Sequence, residues 1–160
     1  MLLNLGCGGR PVSDPPAVNV DVRDLPGVDV VHDLNVCPWP FEDEQFDKVQ
    51  AEDVLEHLDD LVQAVDEIWR VLEPGGLFWI RGPSYQGRNW CADPTHRRAF
   101  NLFSFDYLDP RLPTGVHLDY LTSGKFRVVR AEPDGEDIVF LLRKYRPGEW
   151  LEPERDWEEE

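Results

Sequence analysis

The stretch Leu3-Asn-Leu-Gly-Cys-Gly-Gly9 decides the fold class. A short apolar run that ends in glycines is typical of a buried strand that turns sharply beneath a ligand, because glycine adopts positive φ and presents no Cβ. A dinucleotide-binding loop would need a third glycine near Pro11 and a helix beginning there. Prolines at positions 11, 15 and 16 argue against that helix. The loop therefore predicts a ligand that needs glycine-lined backbone and no helix-bound phosphate.

Strand and helix signals alternate through the first half of the chain, which predicts a doubly wound α/β fold. Predicted strands cover residues 2–5, 18–22, 28–31, 46–50 and 77–80, with a short proline-rich connection at 10–17. Apolar residues from Val54 to Leu72 recur at spacings of three and four, which predicts one helix ending at Pro74-Gly-Gly76. Two further predicted strands, 125–131 and 137–145, flank a turn at Pro133-Asp-Gly135.

Four further motifs, in the expected order, resemble those of class I methyltransferases that use S-adenosylmethionine, a cofactor without phosphates. They are Val18-Asn-Val-Asp-Val22, Val28-Asp-Val-Val-His-Asp-Leu34, the run 46–58 and the run 71–80, so the resemblance covers residues 2–83. Residues 92–100 and 104–107 resemble a small, type 11-like group within that superfamily. The resemblance implies a Rossmann-like, doubly wound, mostly parallel sheet closed by a C-terminal antiparallel hairpin. Most members carry helices before the first strand, and here the predicted first strand starts at Leu2, so we expect a minimal version lacking N-terminal helices.

The resemblance also implies a binding site for S-adenosyl-L-methionine at the carboxyl ends of the strands, where open α/β sheets bind ligands. Asp21 would accept both ribose hydroxyls, and Asp33 would meet the adenine edge unless Asp29 or His32 takes that position. The implied cofactor-binding residues are Leu5, Gly6, Cys7, Gly8, Asp21, Val22, Asp33, Leu34, Ala51 and Glu52. The alternative for the acidic ones is an ordinary turn or helix-start residue, and Asp53 is the natural helix cap.

Methyl transfer is an in-line displacement at a sulfonium carbon, so alignment is the main requirement. A general base is needed only for an alcohol or a protonated amine. The predicted catalytic residues are His57, which follows the fourth strand, and His96, whose imidazole Asp93 is placed to orient. The alternatives are a helix-face His57 bonded to solvent or Glu56, and a structural His96 in a proline turn.

Neighbouring residues give weaker signals. Arg97 and Arg98 suit either a clamp on an acidic acceptor or internal ion pairs. A zinc site from Cys91, Asp93 and His96 lacks a fourth ligand, so we expect no metal site. Five aromatic residues either line an acceptor pocket or belong to the core: Trp90, Phe100, Phe103, Phe105 and Tyr107.

The length of 160 residues predicts one domain at 1–145, with an irregular cap or substrate segment at 81–123 and an acidic tail at 146–160. The net charge of −16 resembles that of halophile proteins and makes nucleic acid an unlikely partner. No apolar run reaches 18 residues and no signal peptide is evident, which predicts a cytoplasmic protein without a membrane span. Three unpaired cysteines predict no disulfide framework.

The leading hypothesis is therefore an S-adenosylmethionine-dependent methyltransferase that acts on a small-molecule acceptor, such as a sugar or cell-surface precursor, with a homodimer as one option for its assembly. The alternative is a non-catalytic S-adenosylmethionine-binding module or partner subunit. A nicotinamide oxidoreductase is disfavoured by the prolines that follow the glycine loop.

Overall fold

The computed structural model describes residues 1–13 and 16–149, and the described residues form one seven-stranded sheet. Its strands are β1 (Leu2–Leu5), β2 (Ala17–Asp21), β3 (Val30–Val31), β4 (Phe46–Glu52), β5 (Leu72–Pro83), β6 (Phe126–Asp134) and β7 (Asp137–Lys144). The strand order is β3-β2-β1-β4-β5-β7-β6. β1 to β5 pair in parallel, whereas β7 pairs antiparallel with both β5 and β6. This architecture confirms the predicted mostly parallel sheet with a C-terminal antiparallel hairpin.

One face of the sheet packs against the helix α1 (Leu61–Val71). Val65, Ile68 and Val71 of α1 are fully buried, as are Phe78 and Ile80, which alternate along β5. Alternation along a strand places every second side chain on the same face. The hydrophobic core therefore lies between α1 and this face.

The predicted helix start at Val54 was wrong, because α1 begins seven residues later. Asp60 is its N-cap, and the Asp60 carboxylate accepts a hydrogen bond from the backbone N–H of Gln63 at 3.0 Å. Asp53, predicted as the cap, has a φ of 53° and lies before a 3₁₀ turn at Leu55–His57. The 3₁₀ turn therefore replaces the first part of the predicted helix. It places residues 53–58 beside the carboxyl ends of the strands.

The segment 81–123 is more ordered than predicted. Residues 81–83 extend β5, and α2 (Asn89–Ala92), a 3₁₀ turn (Asp106–Leu108) and α3 (Pro113–His117) follow. Phe100 and Phe105 are buried, and the Phe105 ring lies 4.8 Å from that of Phe140 on β7. These two aromatic residues belong to the core, whereas Trp90 and Phe103 are exposed.

The opposite face of the sheet is less covered. Leu77, Trp79 and Leu141 are half-buried there, whereas the alternate residues on the α1 face are buried. Among the described residues, helices occur only after β4, as expected of a minimal fold with few helices. No described helix has the length and apolar character needed to cross a membrane.

The buried carboxylate of Asp109 connects the 81–123 segment to the hairpin. It accepts hydrogen bonds from Arg111 at 2.8 Å, from the Tyr145 hydroxyl at 3.0 Å and from the Val128 N–H at 3.2 Å. Burial alone would raise the pKa of Asp109, but these donors outweigh it and hold the pKa below its ordinary value. Residues 150–160 of the predicted acidic tail lie outside the described residues.

Candidate active site

A cavity of about 410 Å³ opens beyond the carboxyl ends of β1, β2 and β4. The strand order reverses between β1 and β4, which is where open α/β sheets bind ligands. Its lining comprises Gly6, Asp21, Val22, Arg23, His32, Asp33, Leu34, Asn35, Asp53, Val54, His57 and Leu58. The structure therefore brings five predicted cofactor-binding residues together: Gly6, Asp21, Val22, Asp33 and Leu34.

The glycine loop forms the turn that the sequence predicts. Gly6 and Gly8 have φ values of 58° and 53°, a region that residues with a Cβ rarely adopt. A Cβ on Gly6 would lie 2.5 Å from Cγ2 of Val54, so only glycine fits this close approach. The Cys7 N–H donates to the Val20 carbonyl at 2.9 Å, and both Cys7 and Leu5 are buried.

Asp21 holds the loop and remains ionised. Its Oδ2 accepts from the Gly8 N–H at 2.8 Å, and its Oδ1 accepts from the N–H and Nε of Arg23 at 2.9 and 3.1 Å. Burial acts to raise the pKa of Asp21, but the three donors outweigh it and lower the pKa below the ordinary value. A carboxylate has about four acceptor positions, so Asp21 retains acceptor capacity for a ligand hydroxyl.

Asp33 and Leu34 form the opposite wall of this cavity. Asp33 Oδ1 accepts from the N–H and side-chain amide of Asn35 at 2.9 and 3.1 Å, which is an Asx turn. His32 lies beside them, with its Nε2 2.9 Å from the Val36 carbonyl. Asp33 thus combines the turn role and the cavity position that the sequence left as alternatives.

Ala51 and Glu52 lie behind the cavity wall. Ala51 is fully buried next to Leu5 in the sheet, and Glu52 forms an ion pair with Arg10 at 2.9 Å. The lining at this point comes from Asp53 and Val54, which the sequence did not single out as cofactor residues. Non-glycine residues at positive φ are uncommon and concentrate at functional sites. The φ of 53° therefore marks Asp53 as a candidate site residue, and this value is visible only in the structure.

A second cavity, of about 630 Å³, adjoins the first and shares Asp53 with it. Its lining comprises Asp53, Glu56, Arg81, Pro83, Asn89, Ala92, Asp93, Pro94, His96 and Asp137. The guanidinium of Arg81 forms ion pairs with Asp53 at 3.3 Å and with Asp137. Carboxylates outnumber the arginine four to one along this lining, so the cavity favours neutral or cationic ligands over anions.

The three predicted catalytic residues meet at the junction of the two cavities. The ring centroids of His57 and His96 are 4.7 Å apart. Thr95 Oγ1 lies 2.9 Å from His57 Nδ1 and 2.6 Å from Asp93 Oδ1, and His96 Nε2 lies 3.9 Å from Asp93 Oδ2. Burial and the neighbouring His96 lower the pKa of His57, which favours its neutral form.

Two arginines hold the segment that carries His96. Arg97 forms an ion pair with Asp59 at 2.5 Å, and its N–H donates to the Glu56 carbonyl at 2.8 Å. Arg98 donates to the carbonyl of Leu55 at 2.6 Å. These contacts match the internal role left open for both arginines, and they fix residues 95–98 against the turn at Leu55–His57.

Glu56 is the residue of this junction that sequence reasoning missed. Its side chain is 1% exposed, and its Oε2 atom is buried without a hydrogen-bond partner among the described residues. Burial, with the charges of Asp53 and Asp137, raises the pKa of Glu56 to about 7. Cys91 lies apart from this group, since it is exposed and its thiol contacts the Arg88 carbonyl at 3.3 Å.

Comparison with known proteins places this fold and site in context. Residues 13–80 match the family described as a methyltransferase domain. A probable S-adenosylmethionine-dependent methyltransferase of Mycolicibacterium smegmatis is 39% identical over 80 residues, which is 48% of this chain and 31% of that protein. Squalene methyltransferase 1 of Botryococcus braunii is 39% identical over 112 residues, 68% of this chain and 25% of that protein. The chain thus spans less than a third of the length of either relative.

Solved structures support the same fold. A chain in the complex between the Haloferax volcanii Trm112 methyltransferase activator and a methyltransferase aligns with a TM-score of 0.64 at 13% identity, covering 91% of this chain and 82% of that one. A SAM-dependent methyltransferase from Archaeoglobus fulgidus gives 0.58 at 15% identity, covering 89% and 85%. At these identities the structural matches establish the fold, while the sequence matches connect it to a cofactor. The chain is therefore similar to class I S-adenosylmethionine-dependent methyltransferases, in sequence over residues 13–80 and in fold over most of its length, and this similarity implies S-adenosyl-L-methionine as the cofactor.

Proposed function

We propose that this chain transfers the methyl group of S-adenosyl-L-methionine to a small polar acceptor. One observation carries the proposal: a glycine-floored cavity at the sheet reversal meets a second, polar cavity at Asp53, with His57, His96 and Asp93 at their junction. Two adjoining cavities are what a two-substrate displacement requires, because donor and acceptor must be held in line.

The first cavity suits the cofactor. The Asp21 carboxylate has about one acceptor position left, on Oδ2, for a ribose hydroxyl, and the wall formed by Asp33 and Leu34 suits the adenine ring. The methionine portion would extend past Gly6 toward Asp53, where the second cavity begins. Leu5, Cys7, Gly8, Ala51 and Glu52 would then support this binding surface from behind.

The chemistry needs few groups. The acceptor's oxygen or nitrogen forms a bond to the methyl carbon while the carbon–sulfur bond breaks. The electron pair of the broken bond remains on the sulfur of the product thioether. A hydroxyl acceptor loses its proton, for which His57 or His96 is the candidate base, oriented through Thr95 and Asp93. A neutral imidazole is the form that accepts this proton, and the lowered pKa of His57 favours it.

The lining of the second cavity bears on the acceptor. Among the relatives are squalene and sterol methyltransferases. The second cavity here carries carboxylates, a guanidinium and an imidazole, which would be costly to bury against a hydrocarbon. We propose a hydroxyl- or amine-bearing acceptor that lacks an acidic group, the class that contains sugars and cell-surface precursors.

The experiment is a transfer assay with methyl-labelled S-adenosylmethionine and a pooled library of sugars, amino sugars and amines. We expect labelled product from the protein, a loss of about 100-fold or more in His96→Ala and His57→Ala, and no loss in His117→Ala. His117 lies on α3 and is exposed, so it controls for general histidine loss. Equal labelling by all four proteins would contradict the assignment of the base.

A second candidate, a non-catalytic cofactor-binding subunit, is favoured by the half-buried side chains of Leu77, Trp79 and Leu141 on the less covered sheet face. Such a face suits a partner protein or a second copy in a homodimer. Light scattering would measure the oligomeric state. Cofactor binding without turnover on the pooled acceptors would favour this second function over the first.

A further inference from the structure

We propose that Glu56, His57 and His96 form a binding site for one divalent transition-metal ion. The proposal deepens the proposed function by naming how an acceptor is held, but metal binding itself requires neither cofactor nor acceptor. One ligand atom of each residue lies within 4.8 Å of the other two, and His96 Nε2 is 3.9 Å from Glu56 Oε1. Modest contraction of these separations would place all three atoms around one ion.

The hydrogen bonds around the histidines fix their lone pairs. The Asp93 carboxylate can only accept, so the Thr95 hydroxyl donates to Asp93 and the His57 Nδ1–H donates to Thr95. The Nδ1–H of His96 donates to the Trp90 carbonyl at 3.1 Å. Each ring therefore keeps its lone pair on Nε2. Orientation of an imidazole through its other nitrogen, by a carbonyl or a carboxylate, is typical of metal-binding histidines.

Glu56 supplies an independent observation. A carboxylate that is 1% exposed normally has its oxygens satisfied, yet Glu56 Oε2 has no hydrogen-bond partner among the described residues. The guanidinium groups of Arg81 and Arg98 have other partners. Arg81 forms ion pairs with Asp53 and Asp137, and Arg98 donates to the Leu55 carbonyl. A cation bound between Glu56 and the histidines would contact Oε1, the oxygen nearest His96, and would compensate the negative charge of this buried carboxylate, whose Oε2 has no donor of its own among the described residues.

Backbone contacts join the two segments that carry the three residues. Glu56 and His57 lie on the 3₁₀ turn, and His96 lies on a segment joined to that turn by the bond from the Arg97 N–H to the Glu56 carbonyl. The surrounding Asp53, Asp93 and Asp137 add negative charge that attracts cations.

The donor set indicates the class of ion. Two imidazoles and one carboxylate suit Zn²⁺, Fe²⁺ or Co²⁺ rather than Mg²⁺ or Ca²⁺, which prefer oxygen ligands. Three protein ligands leave at least one coordination position open, as in catalytic sites. Because Glu56 and His96 line the second cavity, that position would face a polar acceptor and bind its oxygen. With the ion bound, the Nε2 lone pairs of both histidines are coordinated, so the ion, by lowering the pKa of the bound hydroxyl, would replace the histidine base of the metal-free protein.

The test is a titration of the metal-free protein with Co²⁺ alone, followed by its visible absorption bands. We expect one Co²⁺ per chain, displaced by Zn²⁺. Affinity should fall more than about 100-fold in His57→Ala, His96→Ala and Glu56→Gln, and about 10- to 100-fold in Thr95→Val, which removes only the orienting hydroxyl. His117→Ala, an exposed histidine on α3, should bind Co²⁺ like the unaltered protein.

Thermal unfolding of each variant without metal shows whether it is folded. Glu56→Gln keeps the shape of the side chain, so it provides a folded variant if an alanine substitution unfolds the turn. The metal site would be overturned if the unaltered protein showed no Co²⁺ bands. It would also be overturned if Glu56→Gln and Thr95→Val bound Co²⁺ as tightly as the unaltered protein does. Binding of S-adenosylhomocysteine, measured separately on the same samples, reports on the proposed function and not on the metal.

Discussion

Single residues set the shape of the cofactor cavity through their backbone conformations. Gly6 turns the chain at a φ of 58° directly against Val54, and Asp53 turns it at a φ of 53° on the other side. The sequence predicted Gly6, because glycines after a short apolar run have few other uses. It did not predict the role of Asp53, because residue type does not reveal backbone conformation. An aspartate after a strand is equally compatible with a helix cap.

Replacement of Gly6 by alanine tests this close approach. The new Cβ would lie 2.5 Å from Val54 Cγ2 at an unfavourable φ, so we expect Gly6→Ala to lower the free energy of unfolding by about 1 to 3 kcal/mol and to weaken cofactor binding. Urea unfolding measures the loss. Gly9→Ala is the matched control, since a Cβ there meets nothing within 4 Å. Equal stability of the two variants would show that the Gly6 approach carries no strain.

At the level of elements, sequence patterns predicted strands better than they predicted where elements begin. Strands β1, β2 and β4 lie within two residues of their predicted bounds. The observed β5 is eight residues longer than predicted, partly because its antiparallel pairing with β7 continues to Pro83, and a pairing partner is invisible in a local pattern. The apolar spacing after Val54 fitted one long helix, but Val54, Leu55 and Leu58 bury their side chains from a turn instead.

The same reasoning explains which parts of the site were predictable. Residues at strand ends, such as Asp21, follow from the alternation of elements and from the resemblance to a known superfamily. The meeting of Glu56 with His96 depends on how residues 95–98 fold back onto the 3₁₀ turn, and no local spacing encodes that contact.

The cap of α1 gives a test at this scale. Asp60→Ala removes the acceptor for the Gln63 N–H, so we expect a loss of about 1 kcal/mol in the free energy of unfolding. Glu73→Ala, an exposed change just after the helix, should lie within about 0.5 kcal/mol of the unaltered protein. Chemical denaturation measures both, and an unchanged Asp60→Ala would mean that the cap contributes nothing.

For the whole molecule, Asp109 joins the 81–123 segment to the hairpin, and its lowered pKa makes that connection sensitive to acid. A carboxyl group whose pKa is lower in the folded state stabilises the fold above its unfolded pKa, near 3.8, and loses that contribution as the pH falls through the folded pKa. We therefore expect stability to decline below about pH 4 in part through this group.

The corresponding variant is Asp109→Asn, which leaves Arg111 without its buried carboxylate. We expect a loss of about 3 kcal/mol near neutral pH and a shallower decline of stability below about pH 4. Acid titration followed by circular dichroism measures both. Asp119→Asn, an exposed change, is the control. An acid transition with the same slope in Asp109→Asn and in the unaltered protein would contradict this role.

Net charge also acts on the whole molecule. Thirty-two acidic residues face 16 basic ones, so folding concentrates negative charge. Raising the salt concentration shortens the Debye length from about 10 Å at 0.1 M to about 3 Å at 1 M, so we expect the melting temperature to rise with KCl. A melting temperature that falls or stays constant across this range would contradict the expectation, and sucrose at equal osmolality controls for general solute effects.

The central claim is that the cavity bounded by Gly6, Asp21 and Asp33 binds the cofactor. A crystal structure of the complex with S-adenosylhomocysteine, paired with calorimetry, tests it most directly. The account predicts the nucleoside in this cavity with a ribose hydroxyl on Asp21, and an affinity about 10- to 100-fold weaker in Asp21→Ala than in the exposed control Asp24→Ala. An empty cavity in crystals of saturated protein, or equal affinity in both variants, would contradict it.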